Sequence, residues 1–463
     1  MTFIQTKRIW RILCVLVVAF TTTGLLADES SSPGWLGGVA RVEITPSEPM
    51  WMAGYASRNR PADGKQTGLY AKVLVLQDAD QQKMVLVTLD IIGTDRSLMQ
   101  AICSRLEDQH GLRREQIALC ASHTHSGPVL AGNLAPLHYL VVGREHQQLI
   151  ENYTDWLTDQ VVQLVGKALQ QMAPVDVSWG SGQATFAVNR RNNRPDGDID
   201  QLRADGLLVG PSDHDVPVLA VHDQQGQLQT VVFGYACHAT VLSDYHWNGD
   251  YPGYAQIELE RAFPGCQAMF WAGCGADQNP LPRRAVELAE RYGRELADAV
   301  QKVLDVPMKP VAPKLVTRYR EIDLPLAELP TREQIEADAQ SENRYVAARA
   351  TMLREKIEQS GQLDQTYPYP IQTWQLGDDI QFIILGGEVV VDFALRLKTE
   401  LSGPATWVAG FANDVMAYIA SRRILTEGGY EGATAMVYYG LPTTWAIESE
   451  DMIIEEVHRQ LTD

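Results

Sequence analysis

The chain has 463 residues, 45% of them hydrophobic and 21% charged, which is the length and composition of a globular protein with a sizeable buried core. This composition excludes a disordered chain, a collagen-like chain and a polytopic membrane protein. The 58 acidic residues outnumber the 39 basic ones and give a net charge of −19, which argues against binding to a nucleic-acid backbone.

The first 27 residues have the layout of a secretory signal peptide. Lys7, Arg8 and Arg11 precede the apolar run Ile12–Phe20, and small and apolar residues then lead to Ala27. The uninterrupted apolar run is shorter than the roughly 20 residues that a membrane-spanning helix needs, which argues against a retained anchor. We therefore expect residues 1–27 to be a cleaved signal peptide and the protein to be secreted or periplasmic.

Residues 28–463 are predicted to form one domain, because no long linker and no repeat interrupts them. Short apolar runs rich in Val, Ile, Phe and Trp alternate with helical stretches, which predicts an α/β fold of mixed β-sheets flanked by α-helices. Two charged amphipathic segments within residues 326–361, with Thr331 as an N-cap, predict a helical hairpin insertion. Six runs predict buried strands: Met84–Leu89, Ile117–Cys120, Val231–Ala236, Ala268–Trp271, Phe382–Leu385 and Trp407–Phe411.

Each of these six predicted strands is followed closely by polar side chains that can bind a metal or take part in acid/base chemistry. In open α/β sheets, ligands bind at the carboxyl ends of the strands. Loops are commonly polar, so any one of these residues alone indicates little, but the recurrence after every run favours a site. In chain order, the residues are Asp90, His123 and His125, His238, Asp277 and Asn279, Glu388, and Asn413 and Asp414.

The string Ala121-Ser-His123-Thr-His125-Ser-Gly127-Pro128 carries the clearest chemical signal. Residues two apart in an extended backbone point to the same side, so His123 and His125 can face one point in space. Neutral imidazole is a common zinc ligand, although an H-x-H pattern alone fits a polar loop equally well. The chain has no nucleophile elbow, no P-loop, no H-E-x-x-H motif and no dinucleotide fingerprint, which argues against serine-esterase and nucleotide-binding functions.

Taken together, the strings of the chain resemble the neutral/alkaline non-lysosomal ceramidase family of secreted or membrane-associated zinc amidases. The resemblance covers most of residues 28–463, in the order of the family, and the combination is specific although each string alone is weak. The strings that carry it are Val39–Pro46, Met52–Tyr55, Leu69–Leu76, Val85–Asp90, Ser122–Pro128, Asn189-Arg190, His238–Thr240, Gly249–Ala255, the turn at Glu388, Asn413–Tyr418 and Tyr430–Ala433.

This resemblance implies a site and a reaction. Its zinc ligands fall on four residues of this chain: His123, His238, Glu388 and Tyr418. The residues that orient the amide and stabilise its oxyanion fall on His125, Arg190 and Tyr430, and either His125 or Asp277 protonates the leaving amine. The implied reaction is zinc-dependent hydrolysis of the N-acyl bond of a ceramide-like lipid to a fatty acid and a sphingoid base. An N-acyl lipid is then the expected partner, with transient contact with a membrane surface compatible with that substrate.

Two departures from the family leave the substrate open. The family string Gly-Asp-Val-Ser-Pro-Asn is replaced here by Gly273–Pro280, which contains no serine, and no immunoglobulin-like C-terminal domain is expected after Tyr430-Glu-Gly432. One alternative is therefore a zinc hydrolase of the same fold that acts on another N-acyl amide or on an ester. A non-catalytic exported binding protein is the other alternative, and the retention of every implied metal donor argues against it.

Overall fold

The computed structural model describes residues 1–2, 34–193 and 197–462, so the predicted signal peptide lies almost entirely outside the described residues. The described strands are, in chain order, β1 (Trp35–Glu43), β2 (Gly64–Lys65), β3 (Tyr70–Gln77), β4 (Lys83–Leu89), β5 (Ile117–Ala121), β6 (Ala173–Gln183), β7 (Ala187–Asn189), β8 (Asp215–Asp223), β9 (Leu228–Tyr235), β10 (His246–Trp247), β11 (Gln267–Ala272), β12 (Gln278–Pro280), β13 (Lys309–Pro310), β14 (Leu315–Pro325), β15 (Thr366–Leu376), β16 (Ile380–Leu385), β17 (Glu388–Val389), β18 (Ala405–Ala409) and β19 (Tyr418–Ile419).

The helices run between and after these strands. In chain order they are α1 (Arg96–His110), α2 (Arg144–Gln170), α3 (Ile199–Ala204), α4 (Asp250–Ala262), α5 (Val286–Leu304), α6 (Arg332–Asp338), α7 (Arg344–Ser360), α8 (Val391–Glu400), α9 (Arg422–Glu427), α10 (Met436–Tyr439) and α11 (Ser449–Thr462). Single turns of 3₁₀ helix lie at Arg114–Gln116 and Tyr139–Val141, and a π-helical turn lies at Tyr430–Thr434.

Two sheets form the centre of the described chain. The larger has the strand order β11-β9-β8-β6-β1-β3-β4-β5, with β13 paired to β6, and the smaller has the order β14-β15-β16-β18. Three pairs are parallel, namely β4 with β5, β9 with β11 and β16 with β18, and the other pairs within these two sheets are antiparallel. The sheets are therefore mixed, as the sequence predicts.

The alternation of side chains along each strand explains how the layers pack. In β3, Leu74 and Leu76 face the smaller sheet, where they share a core with Trp374 and Phe382. Their neighbours in sequence point the opposite way, toward a core shared with α1 and α2. On their outer faces, β9 and β11 pack against α4 and α5, and the smaller sheet packs against α8 and α11. The fold is thus helices, sheet, sheet and helices, and the predicted α/β class is confirmed.

All six predicted strands are present, with ends shifted by a few residues. The last one ends at Ala409 rather than Phe411, because Gly410 turns to bond with β11. Helix α8 begins at Val391, because Glu388 and Val389 pair with β19. The hairpin is formed by α6 and α7, and Thr331 caps α6 in a capping box. Within the described residues, no helix is both long enough and apolar enough to cross a membrane.

Candidate metal centre

The carboxyl ends of β5 and β9 meet, although the two strands lie near opposite ends of the large sheet. The chain leaving β18 runs between them. The amide of the last residue of β5 donates to the Phe411 carbonyl oxygen at 3.1 Å, and the Gly410 amide donates to the last residue of β11 at 3.0 Å. This segment joins the two edges of the sheet and brings His123, just after β5, next to His238, just after β9, with ring centroids 4.7 Å apart.

The same backbone arrangement fixes the tautomer of both imidazoles. Nδ1 of His123 lies 2.6 Å from the carbonyl oxygen of Ile92, and Nδ1 of His238 lies 2.8 Å from that of Gly275. Because a carbonyl only accepts, each Nδ1 carries the proton and donates it, which leaves a lone pair on each Nε2. This is the outer hydrogen bond that metal-binding histidines normally have. His123 also adopts a left-handed backbone (φ 59°), a conformation that is uncommon outside functional or tightly constrained positions.

Oxygen donors complete the cluster from a separate two-stranded sheet, in which β17 pairs with β19. Oε2 of Glu388 lies 3.2 Å from Nε2 of His238 and 3.6 Å from Nε2 of His123, and it accepts no hydrogen bond among the described residues. The hydroxyl of Tyr418 lies 3.4 Å from Nε2 of His238. Glu388 and Tyr418 are direct register partners in the parallel pair β17 and β19. A buried carboxylate oxygen without a partner, facing two imidazole lone pairs, is a donor set that fits a zinc ion.

His125 lies on the side of this cluster. Its Nε2 is 3.1 Å from Nε2 of His123, and the ligand atoms of His123, His125 and His238 all lie within 4.8 Å of one another, so these three could also hold a metal ion. The Nδ1 of His125 has no hydrogen-bond partner in the described part of the chain. Gly54 lies against this ring, and a Cβ at position 54 would come within 2.4 Å of Nδ1.

The electrostatics of the cluster suit a cation. Burial lowers the pKa of His123 to about 4, despite the opposing charge of Glu388. Burial would raise the pKa of Glu388, but the imidazoles of His123 and His238 outweigh it and bring that pKa to about 2. At neutral pH, His123 is therefore neutral and the carboxylate is ionised, which is the state that metal binding requires of both.

Arg190 and Tyr430 line the outer side of the cluster. The Arg190 guanidinium donates to Tyr418 at 3.2 Å and to Asn279 at 3.4 Å, and it forms a 2.7 Å ion pair with Glu431. The ring of Tyr430 lies 5.4 Å from that of Tyr418 and is 43% exposed. The structure thus places a fixed positive charge and a solvent-facing phenol beside the candidate metal donors.

Comparison with known proteins identifies the family. The sequence model of "Neutral/alkaline non-lysosomal ceramidase, N-terminal" matches residues 35–276, which is just over half of the chain. The chain belongs to this family. It is 26% identical over 180 residues to Neutral ceramidase 1 of Arabidopsis thaliana and 22% identical over 241 residues to Neutral ceramidase of Drosophila melanogaster. These matches cover 38% and 49% of this chain but only 22% and 32% of the two relatives, so the shared part is well under half of their length.

The solved structures show the same fold. The neutral ceramidase from Pseudomonas aeruginosa superposes with a TM-score of 0.69 at 19% sequence identity, over 92% of this chain and 73% of that one. A second structure, of a ceramidase complexed with C2, also gives a TM-score of 0.69, at 17% identity. At such identities the likeness establishes a ceramidase-type fold, and the chemistry has to be argued from the residues of this chain.

Asp277 is the predicted alternative to His125 as the residue that protonates the leaving amine. Its carboxylate forms hydrogen bonds to other parts of the chain. Oδ1 accepts the amide of Val391 at 2.9 Å, and Oδ2 accepts the side-chain amide of Asn189 at 3.1 Å. Its backbone carbonyl accepts the amide of Arg190 at 2.8 Å. Burial raises the pKa of Asp277 to about 6. These contacts connect the start of α8 to the segment that carries Arg190.

Tyr439 is the nearest site residue that sequence reasoning missed. It lies at the end of α10, and its hydroxyl donates a short hydrogen bond to Oε1 of Glu388, on the side of the carboxylate that faces away from the histidines. Its ring centroid lies 6.3 Å from that of Tyr418. Tyr439 belongs to none of the strings that carry the family resemblance, so the sequence alone offered no signal for it.

Not every polar residue at a strand end reaches the cluster. Asp90 accepts the amide of Tyr70 at 2.9 Å, and Asn413 accepts the amide of Leu119 and donates to Gln372. These contacts satisfy backbone and side-chain groups where the sheets meet. Of the polar residues at these strand ends, the structure thus brings together the histidines and Glu388, whereas Asp90 and Asn413 contact other groups.

The helical hairpin approaches the site from one side. Near the start of α7, the hydroxyl of Tyr345 donates to the carbonyl oxygen of Ala56 at 2.7 Å, and its ring packs 5.5 Å from Tyr438. Ala56 follows the segment that holds Gly54 against His125. The insertion is therefore in contact with two segments that border the candidate metal donors.

Proposed function

We propose that this protein is a zinc-dependent amidase that hydrolyses the N-acyl bond of ceramide-like lipids to a fatty acid and a sphingoid base. The observation that carries the proposal is the convergence of the lone pairs of His123 and His238 on the unpartnered, ionised Oε2 of Glu388. Membership of the ceramidase family supports the amide-bond chemistry.

The proposed ligands are His123, His238, Glu388 and Tyr418, with His125 as a neighbour. His123 and His238 each donate Nδ1–H to a carbonyl, whereas Nδ1 of His125 has no partner among the described residues. A ligand histidine normally has that orienting bond, which favours the first two as ligands. When bound, zinc would acidify a water molecule and polarise the amide carbonyl.

Side chains of this chain carry out the remaining steps of the proposed reaction, which are stabilisation of the oxyanion and proton transfer. Arg190 and Tyr430 lie on the exposed side of the donors, where they can donate to the acyl oxygen as negative charge develops on it. Burial lowers the pKa of His125 well below its ordinary value, so its imidazole is neutral at pH 7. It can therefore accept a proton from the attacking water and pass it to the leaving nitrogen.

The test is fatty-acid release from an N-dodecanoyl sphingosine by the purified protein, with a strong chelator and again after zinc is restored. We expect release to stop on chelation and to return with zinc. His238→Ala and Glu388→Ala should abolish release while the circular dichroism spectrum stays native. A folded protein that binds no zinc and does not gain thermal stability from it would contradict the proposal and favour the binding-protein alternative.

We also propose that residues 1–27 are removed on export and that residues 28–463 form the zinc amidase domain of a secreted or periplasmic protein. The basic and apolar layout of the leader supports this. N-terminal sequencing of the protein recovered outside the cytoplasm should begin near Asp28. Recovery of the intact leader in the cytoplasmic fraction would contradict it.

A further inference from the structure

Unpaired positive charge gathers around one tyrosine beside the metal donors. The ring of Tyr55 packs 4.9 Å from the ring of His125, and the guanidinium carbons of Arg58 and Arg284 each lie 4.9 Å from its centroid. Two guanidinium groups therefore contact one aromatic ring that itself touches the site. In a chain with a net charge of −19, such a local excess of positive charge is unexpected.

Arg284 is held in place at a cost in backbone energy. Its φ of 90° lies in the left-handed region that favours glycine, and its amide donates to the carbonyl oxygen of Val241 at 2.7 Å. Its guanidinium donates to the hydroxyl of Tyr55 at 2.8 Å. It forms no ion pair with any carboxylate in the described ranges, and it is exposed. Its remaining donors are free to bind a ligand.

The neighbouring Arg283 is half-buried, and within residues 34–193 and 197–462 its side chain forms neither a hydrogen bond nor an ion pair. Burial, followed by the charge of Arg284, lowers the pKa of Arg283, whereas Tyr55 and Asp250 oppose this shift. The donors of the Arg283 guanidinium are thus available to a ligand.

The nearby groups that could neutralise this charge are engaged elsewhere. Arg58 is 3% exposed and donates to the backbone carbonyls of Ala53, His125 and Asp244. The buried carboxylate of Asp250 accepts the backbone amides of Val241, Leu242 and Tyr251. Among the described residues, Arg58, Arg283 and Arg284 therefore form no ion pair, and the buried carboxylate of Asp250 acts on Arg283 and Arg284 only through space.

We propose that Arg283 and Arg284 bind an anionic group on the amine portion of the substrate, so that the preferred substrates are N-acyl amines that carry a carboxylate or a phosphate. The proposal rests on the proposed amidase function. A fatty acyl chain carries no charge, so the anion belongs to the amine portion, and Tyr55 places Arg284 one side chain away from His125. Arg283 and Arg284 lie three and four residues after Gly273–Pro280, the segment where this chain departs from the family string.

The experiment compares three substrates with the same acyl chain: N-dodecanoylglycine, N-dodecanoylethanolamine phosphate and neutral N-dodecanoylethanolamine. We expect kcat/KM of the zinc-loaded protein to be at least about tenfold higher for one of the anionic compounds than for the neutral one. The better of the two anionic substrates distinguishes carboxylate from phosphate. A kcat/KM that is equal for all three, or highest for the neutral compound, would overturn the proposal.

Variants test whether the arginines cause the preference. Arg283→Gln and Arg284→Gly, singly and together, should reduce the preference for the anionic substrate. The ratio of kcat/KM for the anionic compound to kcat/KM for the neutral one should then lie within about threefold of one. Glycine is the natural residue at a φ of 90°, so Arg284→Gly should melt no lower than the wild type. Arg294→Gln, which removes an exposed charge from the neighbouring helix α5, is the matched control and should retain the full preference.

A binding measurement separates this proposal from the proposed function. Calorimetric titration of the zinc-free protein with N-dodecanoylglycine and N-dodecanoylethanolamine involves no turnover. Tighter binding of the anionic compound by the wild type, and loss of that difference in the double variant, would support the anion site. This holds even if the protein hydrolyses no N-acyl compound, and in that case only the amidase function would be wrong. Equal binding of the two compounds overturns the anion site, whatever the turnover.

Discussion

At the scale of single residues, Glu388 is held from two sides. Oε2 faces the histidines, and Oε1 accepts the hydroxyl of Tyr439. Hydrogen bonds to a ligating carboxylate fix its orientation and contribute to metal affinity. We expect Tyr439→Phe to weaken zinc binding by about 10-fold to 100-fold, measured by competition with a chelator of known affinity.

The neighbouring Tyr438 provides the matched control. Its hydroxyl forms no hydrogen bond among the described residues, and its ring packs on Tyr345 and Tyr430. Tyr438→Phe should therefore leave zinc affinity unchanged, and both variants should unfold within about 1 kcal/mol of the wild type. Equal zinc affinity in the two variants would show that Tyr439 does not orient the carboxylate.

A second prediction concerns the buried carboxyl of Asp414, whose Oδ2 accepts the hydroxyl of Tyr367 at 2.6 Å. Burial, reinforced by the charge of Asp95, raises the pKa of Asp414 from 3.8 to about 7. The folded protein thus holds this proton more tightly than the unfolded chain does. The stability that this group contributes is fully present below about pH 4 and is lost as the pH rises through 7.

Replacement of Asp414 removes this titration. The free energy of unfolding of Asp414→Asn should exceed that of the wild type at pH 8, and the difference should shrink by up to about 1.4 kcal/mol per pH unit as the pH falls toward 4. Denaturant unfolding at several pH values measures it. Asp378→Asn, at a position that is 91% exposed, is the control, and its free energy of unfolding should change with pH in parallel with that of the wild type. A parallel curve for Asp414→Asn would refute the buried-proton interpretation.

At the scale of elements, the segment after β1 presses Gly54 against His125. A Cβ at position 54 would lie 2.4 Å from Nδ1 of His125, too close for any van der Waals contact, so Gly54→Ala must displace the ring or the segment. We expect it to lower kcat by at least about tenfold, because small displacements of a proton-transferring group are costly. Turnover of the zinc-loaded variant measures the effect.

Gly403→Ala separates the clash from backbone strain. The φ angles of Gly54 and Gly403 are 102° and 99°, but a Cβ at position 403 meets no atom within 4 Å. Gly403→Ala should lose about 1 kcal/mol of stability from the strained φ and keep its turnover, whereas Gly54→Ala should lose more stability, because the clash adds to the strain, and should also lose turnover. Loss of turnover in both variants would mean that stability alone explains the defect.

The elements also show what could be predicted from the sequence. Apolar runs such as Ile117–Cys120 predict the buried strands, because strand formation follows from the local pattern. The position of His123, His238 and Glu388 directly after such runs marks them as candidate site residues for the same reason. The sequence could not show that β5 and β9, near opposite ends of one sheet, meet at their carboxyl ends. That meeting depends on the bridging segment at Phe411, which is a tertiary feature without a local signal.

Individual contacts were even less predictable. Asp277 has the residue type and the position of an acid catalyst, yet its carboxylate bonds the backbone of Val391 and the side chain of Asn189. Tyr439 and Arg284 reach the site from segments that carry no motif. Residue type at a strand end thus predicts a site, whereas the direction of each side chain depends on the packing of distant elements.

At the scale of the whole molecule, the proposed metal ligands come from two different sheets. His123 and His238 follow strands of the larger sheet, whereas Glu388 and Tyr418 lie in the separate two-stranded sheet of β17 and β19, which begins just after β16. A zinc ion bound by all four would link the two sheets, and its binding free energy would then stabilise the entire fold. Zinc at 1,000 times its Kd should stabilise the protein by about 4 kcal/mol.

The expected result is one cooperative thermal transition that shifts upward by several degrees with zinc and returns with a chelator, measured by differential scanning calorimetry. Glu388→Ala should abolish the shift. His458→Ala removes an imidazole that is paired with Glu400 on the surface and should keep the full shift, which excludes adventitious binding to histidine. If zinc instead raised only part of a split transition, the metal would stabilise one sheet alone, and the four-ligand set that joins both sheets would be wrong.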